Sequence, residues 1–307
     1  NGTVGFIKNN VLTLKDVKNS DTCTVSYGET RTILYENGTF VINELISKID
    51  EHSSLYGGVI TDFEPMSDSN SYVFDDVGSP LWGDALPGVK KVIIGSSVKP
   101  LSLAYWFYSG VALESGEFYN LDTSETINVK EMFAGTGTGV TDEGNGYPDF
   151  ILKGLDMWDT SKVTDFSGLF AESGVNSTIW NVGDISNWDT SSATDMSNMF
   201  GNAGYSAKIF NLNLSRWDTS KVTNMSSMFI DTGHDSAIFN LDLSGWDTSS
   251  VTNMSSMFSD TISYSAKCSI KIPKKTGNLT NTGSKWYGAS DSVYAEPLKE
   301  MNFTLVN

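Results

Sequence analysis

Four aspartates of this 307-residue chain, Asp159, Asp189, Asp218 and Asp247, each follow a Trp and precede Thr-Ser, at spacings of 30, 29 and 29 residues. If equivalent residues stack at the ~4.8 Å spacing of paired strands, these carboxylates repel one another. Each Asp can accept backbone N–H bonds from the Thr-Ser that follows, as in an Asx turn, or cations can sit between neighbours. Self-capping needs only local residues, and Thr160, Thr190, Thr219 and Thr248 recur beside the aspartates. It is therefore the expected arrangement, with no metal and no cofactor.

Residues 135–149 (GTGTGVTDEGNGYPD) offer two further chemistries. Gly135, Gly137 and Gly139 resemble a phosphate cradle, but no Lys completes it and the segment does not lead into a helix. Asp142, Glu143, Asn145 and Asp149 supply oxygen ligands without the D-x-[DN]-x-[DN]-G spacing of a calcium loop. A solvated excursion is the reading, and loops of this kind are where specific contacts gather. Nucleophilic catalysis needs a base beside the nucleophile, and the only histidines are His52 and His234. His234 holds a repeat position filled elsewhere by Val175 and Tyr205, which marks a tolerant surface slot. The prominent carboxylates repeat with the scaffold, whereas catalysis needs one asymmetric site. No enzyme is expected.

The elements that position these residues follow from the repeat. Residues 158–170, 188–200, 217–229 and 246–258 are near-copies of WDTSxVTNMSxMF, with weaker copies at 121–133 and 95–107. Before the Trp, Phe210, Leu212 and Leu214 alternate as in a strand buried on one face, as do Phe239, Leu241 and Leu243. After it, Val222, Met225, Met228 and Phe229 have the spacing of a short helix, with Gly137, Gly174, Gly204 and Gly233 where a helix end needs a left-handed residue. A unit of 29 residues cannot bury such faces alone, so neighbours must stack. The fold class expected is α/β, a solenoid of about six strand-turn-short-helix units over 89–267. An α+β capping region (1–88) precedes it and an irregular C-terminal cap (268–307) follows. In the first cap, Asn37-Gly38 predicts a tight hairpin and 43–55 a short helix. In the second, 268–272 supply a last strand, Pro273 breaks its register, and 276–288 lie over the core end.

Composition narrows the partners. Lys plus Arg number 20 and Asp plus Glu 37, a net charge of −17. Such a surface repels phosphate backbones and anionic head groups, so neither nucleic acid nor membrane insertion is expected, and no apolar run approaches the ~18 residues of a membrane span. Cys23 and Cys268 lie in opposite terminal regions, too far apart for a disulfide along a stack of six units.

The motif WDTSxVTNMSxMF resembles the repeat of the BspA-like, or DUF285, family of bacterial surface proteins, and L-x-L-x-x-W at 241–246 is similar to the strand of leucine-rich repeats. The leader SYVFDDVGSPLW (71–82) with KPLSLAYWF (99–107) is similar to the segment preceding such repeats. The resemblance implies an extracellular or cell-surface, non-catalytic, leucine-rich-repeat-like solenoid.

On that architecture the residues between buried Leu positions point outward: Asn211, Asn213, Asn240 and Asp242, with Asn181 and Lys153 in less regular units. They form either a polar ladder suited to a peptide or glycan, or a merely solvated face. The function expected is adhesion, by binding a host or neighbouring-cell protein or glycan as a monomer. The alternative is a structural subunit of an extracellular assembly, such as a virion decoration or surface filament.

Overall fold

A computed structural model describes residues 3–8, 11–16, 22–26, 30–45, 55, 59–63, 83–95, 98–139, 147–261, 267–273 and 303–306. Six strands come first: β1 (Thr3–Lys8), β2 (Val11–Asp16), β3 (Thr22–Ser26), β4 (Thr30–Tyr35), β5 (Thr39–Leu45) and β6 (Val59–Phe63). Then follow β7 (Lys91–Ile94), β8 (Ser115–Glu117), β9 (Phe150–Lys153), β10 (Trp180–Asn181), β11 (Ile209–Asn213), β12 (Ile238–Asp242), β13 (Lys267–Pro273) and β14 (Phe303–Val306). β1-β2-β3 is an antiparallel sheet; a seven-stranded mixed sheet runs β10-β9-β8-β7-β5-β4-β6, and β11-β12-β13-β14 is parallel throughout. Among the described residues, no helix is long and apolar enough to cross a membrane.

Asn37-Gly38 does turn the β4–β5 hairpin. Gly38 takes φ +84° and donates its N–H to the Tyr35 carbonyl at 3.0 Å, while Asn37 Oδ1 accepts from Thr39 N–H. The helix expected over 43–55 is corrected at its start, because Asn43, Glu44 and Leu45 continue β5 and pairing with β4 satisfies that backbone. Its remainder lies outside the described residues except for Leu55, as do His52, 71–82 and 276–288. β5 pairs in parallel with β7, so the N-terminal hairpin and the first units share one sheet. Pro273 does not break the register of β13; it stands opposite Val306 of one further strand.

Consecutive units lie in register. Phe210 stands opposite Phe239, and Phe239 opposite Cys268. A second ladder of single bridges links Ser102, Asn128, Asp165, Asp195, Asn224 and Asn253 through six units. The rings repeat this order. Trp158, Trp188, Trp217 and Trp246 stack at 5.8, 6.0 and 6.5 Å with planes within 6°. Phe107, Phe133, Phe170, Phe200, Phe229 and Phe258 form a second column at 5.4–5.7 Å. Each ring thus has an aromatic neighbour on both faces except at column ends, and such pairs contribute ~0.5–1.5 kcal/mol beyond their burial. The core they form is continuous from Leu34 to Ile270.

The short helices expected after each Trp are absent, and the fold is mostly strand and turn. Among the described residues, the helical segments of three or more residues are the 3₁₀ turns Gly83–Gly88 and Leu155–Met157. In the unit beginning at Trp217, alternate amides of Met225, Ser227, Phe229 and Asp231 donate to Asn253, Ser255, Met257 and Ser259 of the next unit. The amides of Met228, Ile230 and Thr232 close turns onto Met225, Ser227 and Phe229. An α-helix keeps its N–H groups within its own segment; here about half cross to the neighbour. Ser227 (φ 56°) and Asp231 (φ 52°) occupy the third positions of the turns closed by Met228 and by Thr232, where a type II turn needs positive φ. Successive turns bring Met225, Met228, Phe229 and Thr232 inward, which reproduces the spacing of a helix stripe.

Candidate ligand-binding face

β11 and β12 expose one face because their residues alternate: Phe210, Leu212, Phe239 and Leu241 are buried, while Ile209, Asn211, Asn213 and Ile238 are exposed and Asn240 and Asp242 partly so. Register places Ile209 beside Ile238, Asn211 beside Asn240, and Asn213 beside Asp242. Ser269 and Lys271 extend the last two rows on β13. Asn181 follows Trp180, whose ring stacks on Phe210 at 5.0 Å, so it precedes Asn211 along the face. Lys153 is exposed at the end of β9, opposite Glu117 of β8. It falls beyond the two-residue pairing of β9 with β10 and is not in the asparagine row.

The six residues divide by what their side chains already hold. Asn181 Oδ1 accepts the Gly183 N–H at 2.8 Å, Asn213 Oδ1 the Ser215 N–H and hydroxyl at 3.2 and 2.7 Å, and Asp242 Oδ1 the Ser244 N–H at 3.1 Å. Asp242 Oδ2 also meets Lys271 Nζ at 2.8 Å. Burial pushes the Asp242 carboxyl up, but the Lys271 and Ser244 bonds outweigh it and the net shift is downward. These three residues turn the chain at the strand end. Among the described residues, nothing hydrogen-bonds the side chains of Lys153, Asn211 or Asn240, which leaves them to solvent or ligand. Ile179, Ile209 and Ile238, which the expected polar ladder does not include, are exposed by 47%, 56% and 37%. Their parity with Asn211 and Asn240 was the signal. An apolar row beside an amide row can bury hydrocarbon and direct hydrogen bonds at once.

The aspartate column is self-capped. Asp159, Asp189, Asp218 and Asp247 each accept the N–H of the Ser two residues on at 2.9–3.0 Å, and Asp122 does the same. The Thr in between is not part of the cap. Thr160, Thr190 and Thr219 send Oγ1 to the backbone carbonyls of Asp189, Asp218 and Asp247 in the next unit at 2.8–3.0 Å. The buried hydroxyls of Thr123 and Thr248 have no such partner. The Ser161 hydroxyl and N–H hold the Asp159 carboxyl below its ordinary range, and Ser220 does so for Asp218. For Asp247 the Ser249 N–H leads and its hydroxyl adds. Among the described residues, no three His, Cys, Asp or Glu side chains come together as metal ligands.

Gly135 (φ 67°) and Gly137 (φ 64°) belong to the turn series of their unit and not to a phosphate cradle. Asp149 accepts the Thr178 hydroxyl at 3.1 Å, while Asp142, Glu143 and Asn145 lie outside the described residues. His234 stacks on Tyr205 at 4.7 Å and bonds Asp235 through Nδ1 at 2.9 Å. Tyr108, Glu131, Glu172 and Asn198 line a shallow groove, where burial pushes the Glu131 carboxyl up.

The family model described as "Mycoplasma protein of unknown function, DUF285" matches residues 98–179, 141–267 and 173–292, overlapping spans that together cover more than half of the chain. No curated protein and no solved structure matches it.

Proposed function

From the chain's membership of the DUF285 family, we propose a non-enzymatic binding module, displayed at a cell surface, that holds a protein or glycan ligand against its strand face. The observation carrying this reading is the register of Ile209 with Ile238 and of Asn211 with Asn240, two unlike rows repeated on one rigid surface. Stacked aromatic columns behind the face fix it in place, so little ordering entropy is lost on binding. We read the stacked units as a solenoid of the leucine-rich-repeat kind, and the likeness to BspA-like surface repeats as the ground for an extracellular site of action. The net charge of −17 argues against nucleic acid as partner.

The test is a screen of the purified chain against glycan and host-protein arrays, repeated with Asn211→Ala/Asn240→Ala and Ile209→Ser/Ile238→Ser. The reading expects one ligand class to be retained and its affinity to fall at least tenfold in both variants with Tm unchanged. Binding indifferent to both variants overturns it. So does light scattering that grows with concentration in the absence of ligand, the behaviour of an assembly subunit.

A further inference from the structure

Two periods meet on the strand face. Residues two apart on one strand lie about 6.7 Å apart, and equivalent residues of paired strands about 4.8 Å apart. The apolar row advances by one strand spacing from Ile209 to Ile238, and the amide row from Asn211 to Asn240. The Lys208 N–H donates to the Thr178 carbonyl at 3.0 Å, as the Ala237 N–H does to the Lys208 carbonyl one unit on, which sets Ile179 beside Ile209. Three successive units carry both rows, with Asn181 opening the row of amides.

These amides are not spent on one another. Stacked Asn side chains can bond along a sheet, yet among the described residues Asn211 and Asn240 form no such bond. Asn181 commits only its Oδ1, to the Gly183 N–H, and its Nδ2 keeps two donors. Every unit offers amide donors beside an isoleucine.

The rows are also electrically neutral. Asp242 is the one carboxylate among the outward residues of β10, β11 and β12, and Lys271 Nζ meets it at 2.8 Å. A polycation finds no unpaired carboxylate there, and the net charge of −17 opposes a polyanion. An uncharged ligand complements this face.

A ligand that engages every unit must advance by one strand spacing per repeat. An extended peptide returns to the same side every ~6.7 Å and a polyproline II helix every ~9.3 Å, so neither meets each amide in turn. A ribbon of equatorially linked pyranoses advances by close to one strand spacing per sugar. Its hydroxyls line both edges and its C–H groups the ring faces, so one sugar can cover an isoleucine and hydrogen-bond an amide together.

Building on the reading of the strand face as the binding surface, we infer that its ligand is a linear, uncharged glycan of β-1,4-linked pyranoses. The chain lies along the stacking direction with one sugar per unit, its C–H groups on Ile179, Ile209 and Ile238 and its hydroxyls on Asn181, Asn211 and Asn240.

The experiment titrates the purified chain calorimetrically with cello-oligosaccharides and chito-oligosaccharides of increasing length, with maltohexaose and a polyproline peptide as comparisons. In one of the two series, affinity is expected to rise at least about threefold from disaccharide to trisaccharide and to level off beyond the tetrasaccharide. Maltohexaose, whose axial linkage coils the chain, and the polyproline peptide are expected to bind at least about tenfold more weakly. Asn240→Ala removes the last amide, so the series is expected to level off one sugar earlier with Tm unchanged. Failure of both series to bind, affinity independent of length, or equal affinity for maltohexaose overturns the inference. Retention of the polyproline peptide alone, lost in Asn211→Ala/Asn240→Ala, overturns the glycan and leaves the face as a binding surface. Sugar binding indifferent to that double variant overturns both.

Discussion

The indole of Trp217 lies parallel to that of Trp188, 6.0 Å away and within 6°, while its Nε1 donates to the Ile185 carbonyl at 2.9 Å. Trp188 and Trp246 repeat that bond to Leu155 and Leu214. One side chain thus supplies ring stacking within its column and a cross-link to the unit before it. Trp217→Ala is expected to cost about 3–5 kcal/mol in urea unfolding, by transfer and cavity together. Trp217→Phe keeps a stacked ring and removes one of the two hydrogen bonds to the Ile185 carbonyl, which retains the Trp188 N–H at 3.3 Å, and about 0.5–1.5 kcal/mol is expected.

Thr219 and Thr248 occupy the same place in successive units, but only Thr219 finds a carbonyl, that of Asp247 at 2.8 Å. Thr219→Val is expected to destabilise by about 0.5–1.5 kcal/mol, because the part-buried bond to the Asp247 carbonyl is lost. Thr248→Val removes an unpaired buried hydroxyl and is expected to be neutral or stabilising. Equal losses at the two sites in chemical denaturation would contradict the inter-unit role of the Thr column.

Acid should loosen the stack through its Asx turns. The carboxyls of Asp122, Asp159, Asp184, Asp218 and Asp247 are held below their ordinary range by Ser hydroxyls and N–H groups. Their unfolded values lie near about 3.9, so the stability they contribute is complete above that pH and is lost as pH falls through the lower folded values. Tm is expected to be level with respect to these groups near neutrality and to fall below about pH 4. Asp218→Asn keeps the acceptor oxygen, as Asn224 and Asn253 do in the parallel column, and should flatten that acid limb.

Gly204 combines φ +52° with a backbone so close to Trp180 that an added Cβ would sit 2.8 Å from the Trp180 Cβ. Gly204→Ala is expected to cost more than about 1 kcal/mol, from left-handed strain and displacement of a core ring together. An unchanged unfolding midpoint would contradict this.

The period, the Trp alignment and the outward parity of Asn211 and Asn240 were legible because stacking copies of one unit forces equivalent residues into columns. The helices were misread for a physical reason. Successive tight turns place Val222, Met225, Met228 and Phe229 inward at the spacing a helix produces, so apolar periodicity cannot separate the two. What separates them is the residue type at positions four apart: Gly168 and Glu172, Asn198 and Asn202, Ser227 and Asp231, Ser256 and Asp260, all at positive φ. Five of these eight are Gly, Asn or Asp, which tolerate that region, whereas Glu172, Ser227 and Ser256 carry no such signal. The face was legible as to direction but not as to occupancy. Outward parity alone leaves Asn213 and Asp242 free, but Ser215 and Ser244 stand two residues on, the same Asx pattern as Asp159 and Ser161.

The alternating amides have a mechanical consequence. Their bonds join one unit to the next along the stacking direction, so tension applied through an end of the chain concentrates on the outermost layer while those behind it stay shielded. Such a molecule should yield in discrete jumps. Each released layer of 29 residues adds roughly 100 Å of slack.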